Sequence, residues 1–299
     1  MELFHQQSVT TRDRQTSWIR KSTLRLIFIL SLSYTAGNSQ NLDETFRLGM
    51  EQYALSNFQT ASLAFERVLY FGDGKYSIQS LDHLANMRLQ QNDVEGAINY
   101  YHQASVRANE YNEKSWFTLR KCAGLLALQK TQIALIDLYD LNDNLPDSTL
   151  QYKYFLLGIA HFSTLDFSES RSAFVKAIPE NEVKKIAQVD SLFTVLVRIK
   201  NPKPKTAKIL SMILPGSGQF YAGDIKNGVN SLLLTGGFLF LGIHSALNYG
   251  IINSLASASP WIQRYYIGGF KRAELIAEEK LALKRDRIYQ QVLDVFESH

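Results

Sequence analysis

A single cysteine, Cys122, stands in the 299 residues. No intrachain disulfide can form and no cysteine-based metal site can assemble. This is neutral about compartment. With Leu119, Leu125 and Leu126 around it, Cys122 reads as a small buried residue on a helix. Proline is scarce, six in all, and those present mark breaks, as at Pro179, Pro202 and Pro204. Neither sign of charge dominates. A formal net charge of +4 is too little to argue for nucleic acid, and no basic helix carries interleaved aromatics. The six histidines are dispersed, and no HExxH, nucleophile elbow, Ser-x-x-Lys or carboxylate–histidine cluster occurs. The expectation is a protein without catalytic residues, cofactor or metal. Gly216-x-Gly218 is no phosphate loop: no strand precedes it, Tyr221 stands where the third glycine belongs, and no Gly-Lys-Ser/Thr follows.

What is present is ordinary hydrophobic content, 45%, arranged in a repeat. Ala61, Ala97, Ala134 and Ser170 are small residues at nearly equal steps along the chain. A period near 34 residues or slightly more is the mark of stacked helix–turn–helix units. The first unit reads Gly49, Tyr53, Ser56-Asn57, Ala61, Phe65 and Val68. Gly49 and Ala61 are small where two helices cross, and Phe65 is large enough to fill the groove. The second unit has Ala85, Leu89, Asn92-Asp93, Ala97, Tyr101 and Ala104. The third, with Cys122, Leu126, Ala134 and Leu138, is aliphatic and its Gln129-Lys130-Thr131 turn is a poorer match. The fourth has Gly158, Phe162, Asp166-Phe167, Ser170, Phe174 and Ala177, closed by Pro179.

These residues resemble the tetratricopeptide repeat over roughly residues 42–178. That family sets a small residue and an aromatic in the first helix, then alanine, an aromatic and alanine in the second, with proline after it. The first helix lacks the family's tryptophan, and Ser170 stands in place of an alanine. The resemblance implies an all-α solenoid of about four units whose first helices line a concave, protein-binding face. Glu51, Arg88, Arg120 and Lys121 are candidates for that face, although ordinary solvated charge is the favoured explanation for them.

Two other segments are apolar. Arg20, Lys21 and Arg25 precede Leu26-Ile27-Phe28-Ile29-Leu30-Ser31-Leu32, and Ala36, Gly37 and Ser39 follow. That order describes a secretory signal cleaved after Ser39; an uncleaved signal anchor is the alternative. The second segment follows the Pro/Lys hinge at 201–206. Pro215-Gly216-Ser217-Gly218-Gln219-Phe220-Tyr221-Ala222-Gly223 leads into the nearly uncharged run from Gly228 to Leu247. That run is long enough for one membrane span. Gly236 and Gly237 are residues that let membrane helices approach closely. The stretch is similar to the glycine-rich Phe-Tyr-x-Gly hairpin of TM2-type domains, and resembles modules joined to repeats in Bacteroidota proteins. The resemblance implies membrane residence and nothing further.

The expected organisation is therefore a signal at 1–39, repeats at 40–179, a capping helix at 180–200, the hinge at 201–206, a membrane hairpin at 207–250 with its tip at Gly223 to Asn227, and an interfacial segment with an amphipathic helix at 251–299. Helix resumes from Ser259-Pro260. Trp261, Tyr265 and Tyr266 suit a membrane interface, and Arg264, Lys271 and Arg272 suit anionic head groups. Ala273, Ala277, Leu281, Ile288, Val292 and Phe296 form a stripe interrupted at Lys284-Arg285. This helix should pack on the repeats, on the hairpin or on another copy.

The export signal places the repeats in the periplasm, held on the inner membrane. Lys200, Lys203, Lys205 and Lys208 on the same side run against the positive-inside tendency. Long domains translocate largely regardless of charge, so the signal takes precedence. The function expected is an exported scaffold with a protein partner on its repeats and lipid around its module. The alternative is an oligomeric transport or channel component built from the hairpins.

Overall fold

The computed structural model describes residues 41–72 and 74–297, and among these every regular element is an α-helix. The signal expected at 1–39 lies outside the described residues. The chain divides into two compact units, one ending at Gln129 and one beginning at Lys130.

The first unit contains α1 (Leu42–Ala54), α2 (Phe58–Phe71), α3 (Ser77–Gln90), α4 (Val94–Arg107) and α5 (Tyr111–Ala127). Each helix packs on the next. The turns explain why the chain reverses where it does. Ser56, Asn92 and Gln129 all adopt left-handed backbone, with φ of 60, 59 and 57°. Each lies the same distance ahead of its small residue, Ala61, Ala97 or Ala134. The left-handed residue stops one helix, and the next amide reaches back over the last turn: Asn57 N–H donates to the Gln52 carbonyl at 2.9 Å and Asp93 N–H to that of Arg88 at 2.8 Å. Asp93 then caps α4, its carboxylate accepting from Gly96 N–H at 2.9 Å. Gln129, whose turn looks poorest by composition, takes the same conformation.

Between these turns the apolar faces close into two clusters. Ala61, Phe65, Leu84 and Met87 form one. Leu81, Ala85, Ala97, Tyr101, Ala104 and Phe117 form the other. Burying each large side chain contributes about 1.5–3 kcal/mol.

The second unit contains α6 (Thr131–Asp140), α7 (Asp147–Ser163), α8 (Phe167–Ala177), α9 (Val183–Arg198), α10 (Pro204–Ile213), the short α11 (Ser217–Tyr221), α12 (Ile225–Tyr249) and α13 (Ile251–Glu297). Leu165 repeats the left-handed turn at φ 63°, with Asp166 N–H on the His161 carbonyl at 2.9 Å. The junction of α11 and α12 uses the same device. Gly223 is left-handed at φ 78°, Asp224 N–H donates to the Gln219 carbonyl at 2.8 Å, and the Asp224 carboxylate caps α12 through Asn227 N–H at 3.0 Å.

Helix α13 ties this unit together. Its 47 residues pair antiparallel with α12 and then run past α10 to α9. The antiparallel order shows in the contacts. Ser254 Oγ donates to the Gly242 carbonyl at 2.6 Å, and Phe238 stacks with Tyr265 at 5.1 Å and Trp261 at 5.8 Å. The arm facing α12 is therefore the start of α13, across Gly250 (φ 90°), while α10 packs mainly on α13. Helix resumes at Ile251 rather than at Ser259-Pro260, and Pro260 lies inside it. Proline removes one N–H from the helix at that point.

The apolar stripe of α13 has two functions. Ala273, Ile276 and Ala277 bury against Ala207 and Ala222. Val292 and Val295 join Phe174, Ile178, Val189, Phe193 and Leu196, with Phe296 against Phe155 at 4.9 Å and Phe174 at 5.6 Å. The gap at Lys284-Arg285 marks the crossing of the 201–206 segment: Lys284 Nζ donates to the Asn201 carbonyl at 3.0 Å, and Arg285 lies over the Phe167 ring at 5.4 Å.

Candidate functional site

The glycine-rich motif builds a buried joint. Pro215 lies in the turn between α10 and α11, and Gly216 follows with φ 91°. A Cβ on Gly216 would lie 2.3 Å from the Gly228 carbonyl, so α11 and α12 meet there at backbone distance. A Cβ on Gly218 would lie 1.9 Å from the Ala207 carbonyl of α10. That approach lets Gly218 N–H donate to Ser211 Oγ at 2.9 Å. Ser211 donates in turn to Gln219 Oε1 at 2.8 Å, and Gln219 Nε2 donates to the Gly269 carbonyl of α13 at 2.9 Å. This chain is buried and joins three helices. Phe220 packs over Gly228, where a Cβ would come within 2.7 Å of the ring. Tyr221 accepts from Lys203 N–H at 3.1 Å and lies 3.4 Å from Asn201 Oδ1, so the Pro/Lys segment is pinned on both faces. Gly223 has open space around it and serves its turn.

Gly236 and Gly237 differ from expectation. Nothing from another described helix lies within 4 Å of where their Cβ atoms would be. Gly242, one turn on, is the small residue that α13 packs against through Ser254. Trp261 and Tyr265 stack on Phe238 across the pair, Trp261 remaining exposed, and Tyr266 donates to the Met212 carbonyl at 2.6 Å.

The residues expected to set repeat packing lie in helix contacts. Ala61, Phe65, Ala97, Tyr101, Ala134 and Phe174 are buried. Gly49 faces the Phe65 ring, and a Cβ there would lie 2.8 Å from it. Gly158 faces Phe174 in the same way at 2.6 Å. Ser170, the departure from alanine, donates to the Gly158 carbonyl at 2.8 Å, which satisfies its buried hydroxyl. The surface candidates are engaged: Glu51 lies 3.8 Å from Arg47 and Arg88 3.4 Å from Asp93. Arg120 pairs with Asp82, reaches Asn86 at 2.5 Å and covers the Tyr101 ring at 4.5 Å.

A polar cleft of about 300 Å³ opens beside α6, α7 and α8. Lys153 is buried at its base, donating to the Leu141 carbonyl at 2.5 Å and to Asp143 at 2.7 Å. Tyr154 donates to the other Asp143 oxygen at 2.8 Å. The Lys153 and Tyr154 hydrogen bonds hold the Asp143 carboxyl below its ordinary range. Burial, then Asp143, pushes the Tyr154 phenol up to about 12. Tyr139 and His161 Nε2 lie 2.7 Å apart at the mouth, beside Glu169 and Lys176. These groups suit hydrogen bonding to a polar ligand. Helix α6 exposes Ile133, Ile136 and Tyr139 next to the cleft.

Helix α12 is the one described helix long and apolar enough to cross a membrane, and only 11% of its most apolar window is buried. A second cavity, about 340 Å³, lies between it and α13. Among the described residues no group of His, Cys, Asp and Glu is placed to hold a metal ion. Composition flagged the glycines of this module but not Ser211, Gln219, Ser231 or Thr235. Polar residues spaced by four within an apolar run are the signal that marks the last two. No protein-family model, curated protein or solved structure matches the chain.

Proposed function

We propose that the protein is a membrane-anchored scaffold whose helix pairs, of tetratricopeptide type, hold a protein partner on the periplasmic side of a bacterial inner membrane. The observation that carries this reading is α12: apolar, 25 residues long and mostly exposed. A core helix of that composition is buried, whereas an exposed one needs lipid or protein cover. Its partner arm returns antiparallel, and the end of α13 packs on α8 and α9. The repeats and the C-terminal end of α13 then lie on one side of the bilayer, with Gly250 on the other. The repeat assignment rests on recurring small residues in contact with buried aromatics and on one left-handed turn repeated within each helix pair. The exposed apolar edge of α6 beside a polar cleft supports protein contact as the mode of action.

Protease protection in spheroplasts, combined with alkaline carbonate extraction, tests this reading. Single-cysteine labelling refines it, because Cys122 is buried. In a Cys122→Ser chain, Thr149→Cys and Glu297→Cys should label from outside with an impermeant reagent, and Tyr249→Cys should not. Release of the protein by carbonate, or opposite labelling of Thr149→Cys and Glu297→Cys, would overturn the topology. A second reading, an oligomer of hairpins serving transport, draws on Gly236 and Gly237, which face open space on an apolar helix. Disulfide crosslinking of Gly237→Cys in membranes decides between a monomer and that assembly.

A further inference from the structure

The cavity between α12 and α13 has the chemistry of a phosphate site. On α12, Asn227, Ser231 and Thr235 follow one another at four-residue steps and all line it. The Ser231 and Thr235 hydroxyls are buried and have no hydrogen-bond partner. A helical serine or threonine can donate to the carbonyl one turn back, and a hydroxyl left unpaired away from water costs about 1–3 kcal/mol. Two such groups in one cavity wall therefore point to something that accepts from them.

On α13, Arg264, Gly268 and Arg272 also follow at four-residue steps along the opposite wall. The two arginines are about 12 Å apart in helix rise, and Gly268 lies midway. A Cβ on Gly268 would meet nothing within 4 Å. Two long guanidinium side chains can converge over that gap. Gly269 serves the other side, since a Cβ there would lie 2.7 Å from Ser231 Oγ. No acidic side chain lines the cavity. The nearby Asp224 carboxylate accepts from Asn227, at 3.0 Å through its backbone N–H and 2.7 Å through Nδ2, and attracts Arg272 only through space. Two cations and several neutral donors without a carboxylate exclude a metal cation and favour an anion with several acceptor oxygens.

We infer that this cavity binds a phosphate group, with Arg264 and Arg272 as its charged clamp and Ser231 and Thr235 as hydroxyl donors. The phosphodiester of an anionic membrane lipid fits the surroundings best. The cavity lies toward one end of α12, and Leu232 and Leu233 on its exposed face offer acyl chains an apolar surface. The lipid source rests on the membrane reading above; the phosphate chemistry rests only on the pairing of α12 with α13.

The test uses full-length protein in detergent, titrated with dihexanoyl phosphatidylglycerol, glycerol phosphate, inorganic phosphate and phosphate-free dihexanoylglycerol. Binding is read as a rise in melting temperature. Phosphatidylglycerol should stabilise the protein and dihexanoylglycerol should not. Arg264→Gln and Arg272→Gln should each weaken binding at least tenfold, the loss expected for one charge-assisted contact. Ser231→Ala and Thr235→Val should weaken it several-fold, while Lys271→Gln, next to the site but outside its lining, should leave it unchanged. Glycerol phosphate or inorganic phosphate binding as tightly as the lipid assigns the site to a free phosphate; tighter lipid binding assigns it to a head group. Absence of a shift with every phosphate compound, an equal shift from dihexanoylglycerol, or full binding by both arginine variants overturns the inference. Carbonate extraction reports separately on the membrane reading, so the two can fail independently.

Discussion

Gly218→Ala should be among the most damaging single-methyl additions in this chain. The new Cβ would lie 1.9 Å from the Ala207 carbonyl and 2.6 Å from Ser211 Oγ. The first of these is backbone, which no rotamer change relieves. Ordinary carbon–oxygen contact needs about 3.3 Å, so α10 and α11 must part by more than about 1 Å. Overpacking of this kind costs about 1–3 kcal/mol. Parting them also breaks the run from Gly218 N–H through Ser211 to Gln219 and Gly269. Each neutral bond contributes about 1 kcal/mol, and a partner left buried costs more. The expected loss is about 3–5 kcal/mol, a large share of the 5–15 kcal/mol typical of a domain. Gly236→Ala is the matched control. Its Cβ enters open space, and alanine favours a helix interior over glycine by up to about 1 kcal/mol. Urea unfolding in micelles, followed by circular dichroism, measures both. Trypsin cleavage after Lys200 and Lys205 reads the joint locally, because Tyr221 pins that segment. A Gly218→Ala protein within about 1 kcal/mol of wild type, the worth of a single neutral hydrogen bond, with unchanged cleavage, would refute the close approach on which the joint depends.

Three further outcomes are expected. Leu165 carries a left-handed turn without being glycine, a strain of about 1–2 kcal/mol; Leu165→Gly should raise the midpoint of urea unfolding, whereas Gly223→Ala, in open space but at φ 78°, should lower it by a similar amount. Phe174→Ala should cost about 3–5 kcal/mol, because the ring is fully buried among α7, α8, α9 and α13, and should expose the end of α13 to proteolysis. Burial between Tyr53 and Phe65 holds the His83 imidazole below its ordinary 6.5. Between its folded and unfolded values the unfolded chain binds more protons, so stability is full above about pH 6.5 and falls as the pH drops below it. His83→Phe should flatten the pH dependence of stability measured from about pH 7.5 to about pH 5.5, the range that brackets an imidazole titration; an unchanged slope would remove His83 as the cause.

Much of the helical array was legible in the residues themselves. Small residues recurring beside large aromatics dictate a helix crossing, because only glycine or alanine leaves room for a ring, as Gly158 does for Phe174. Ser170 was legible as small, but its bond to the Gly158 carbonyl was not, since that needs the neighbouring helix in place. The Gln129 turn shows the converse: its composition is a poorer turn match, yet Gln129 takes the same left-handed backbone.

In the apolar module the sequence determined that α12 is long, apolar and helical, and that Gly216, Gly218 and Gly223 mark tight places. Those are local properties, set by hydropathy and by the absence of a side chain. Only the tertiary structure decided which helix pairs with α12, because apolar surface is non-directional and does not name its partner. The antiparallel course of α13 did so, returning to close on both α10 and the last repeat pair. The same return places Arg264 and Arg272 opposite Ser231 and Thr235, residues far apart in the chain that no spacing rule connects.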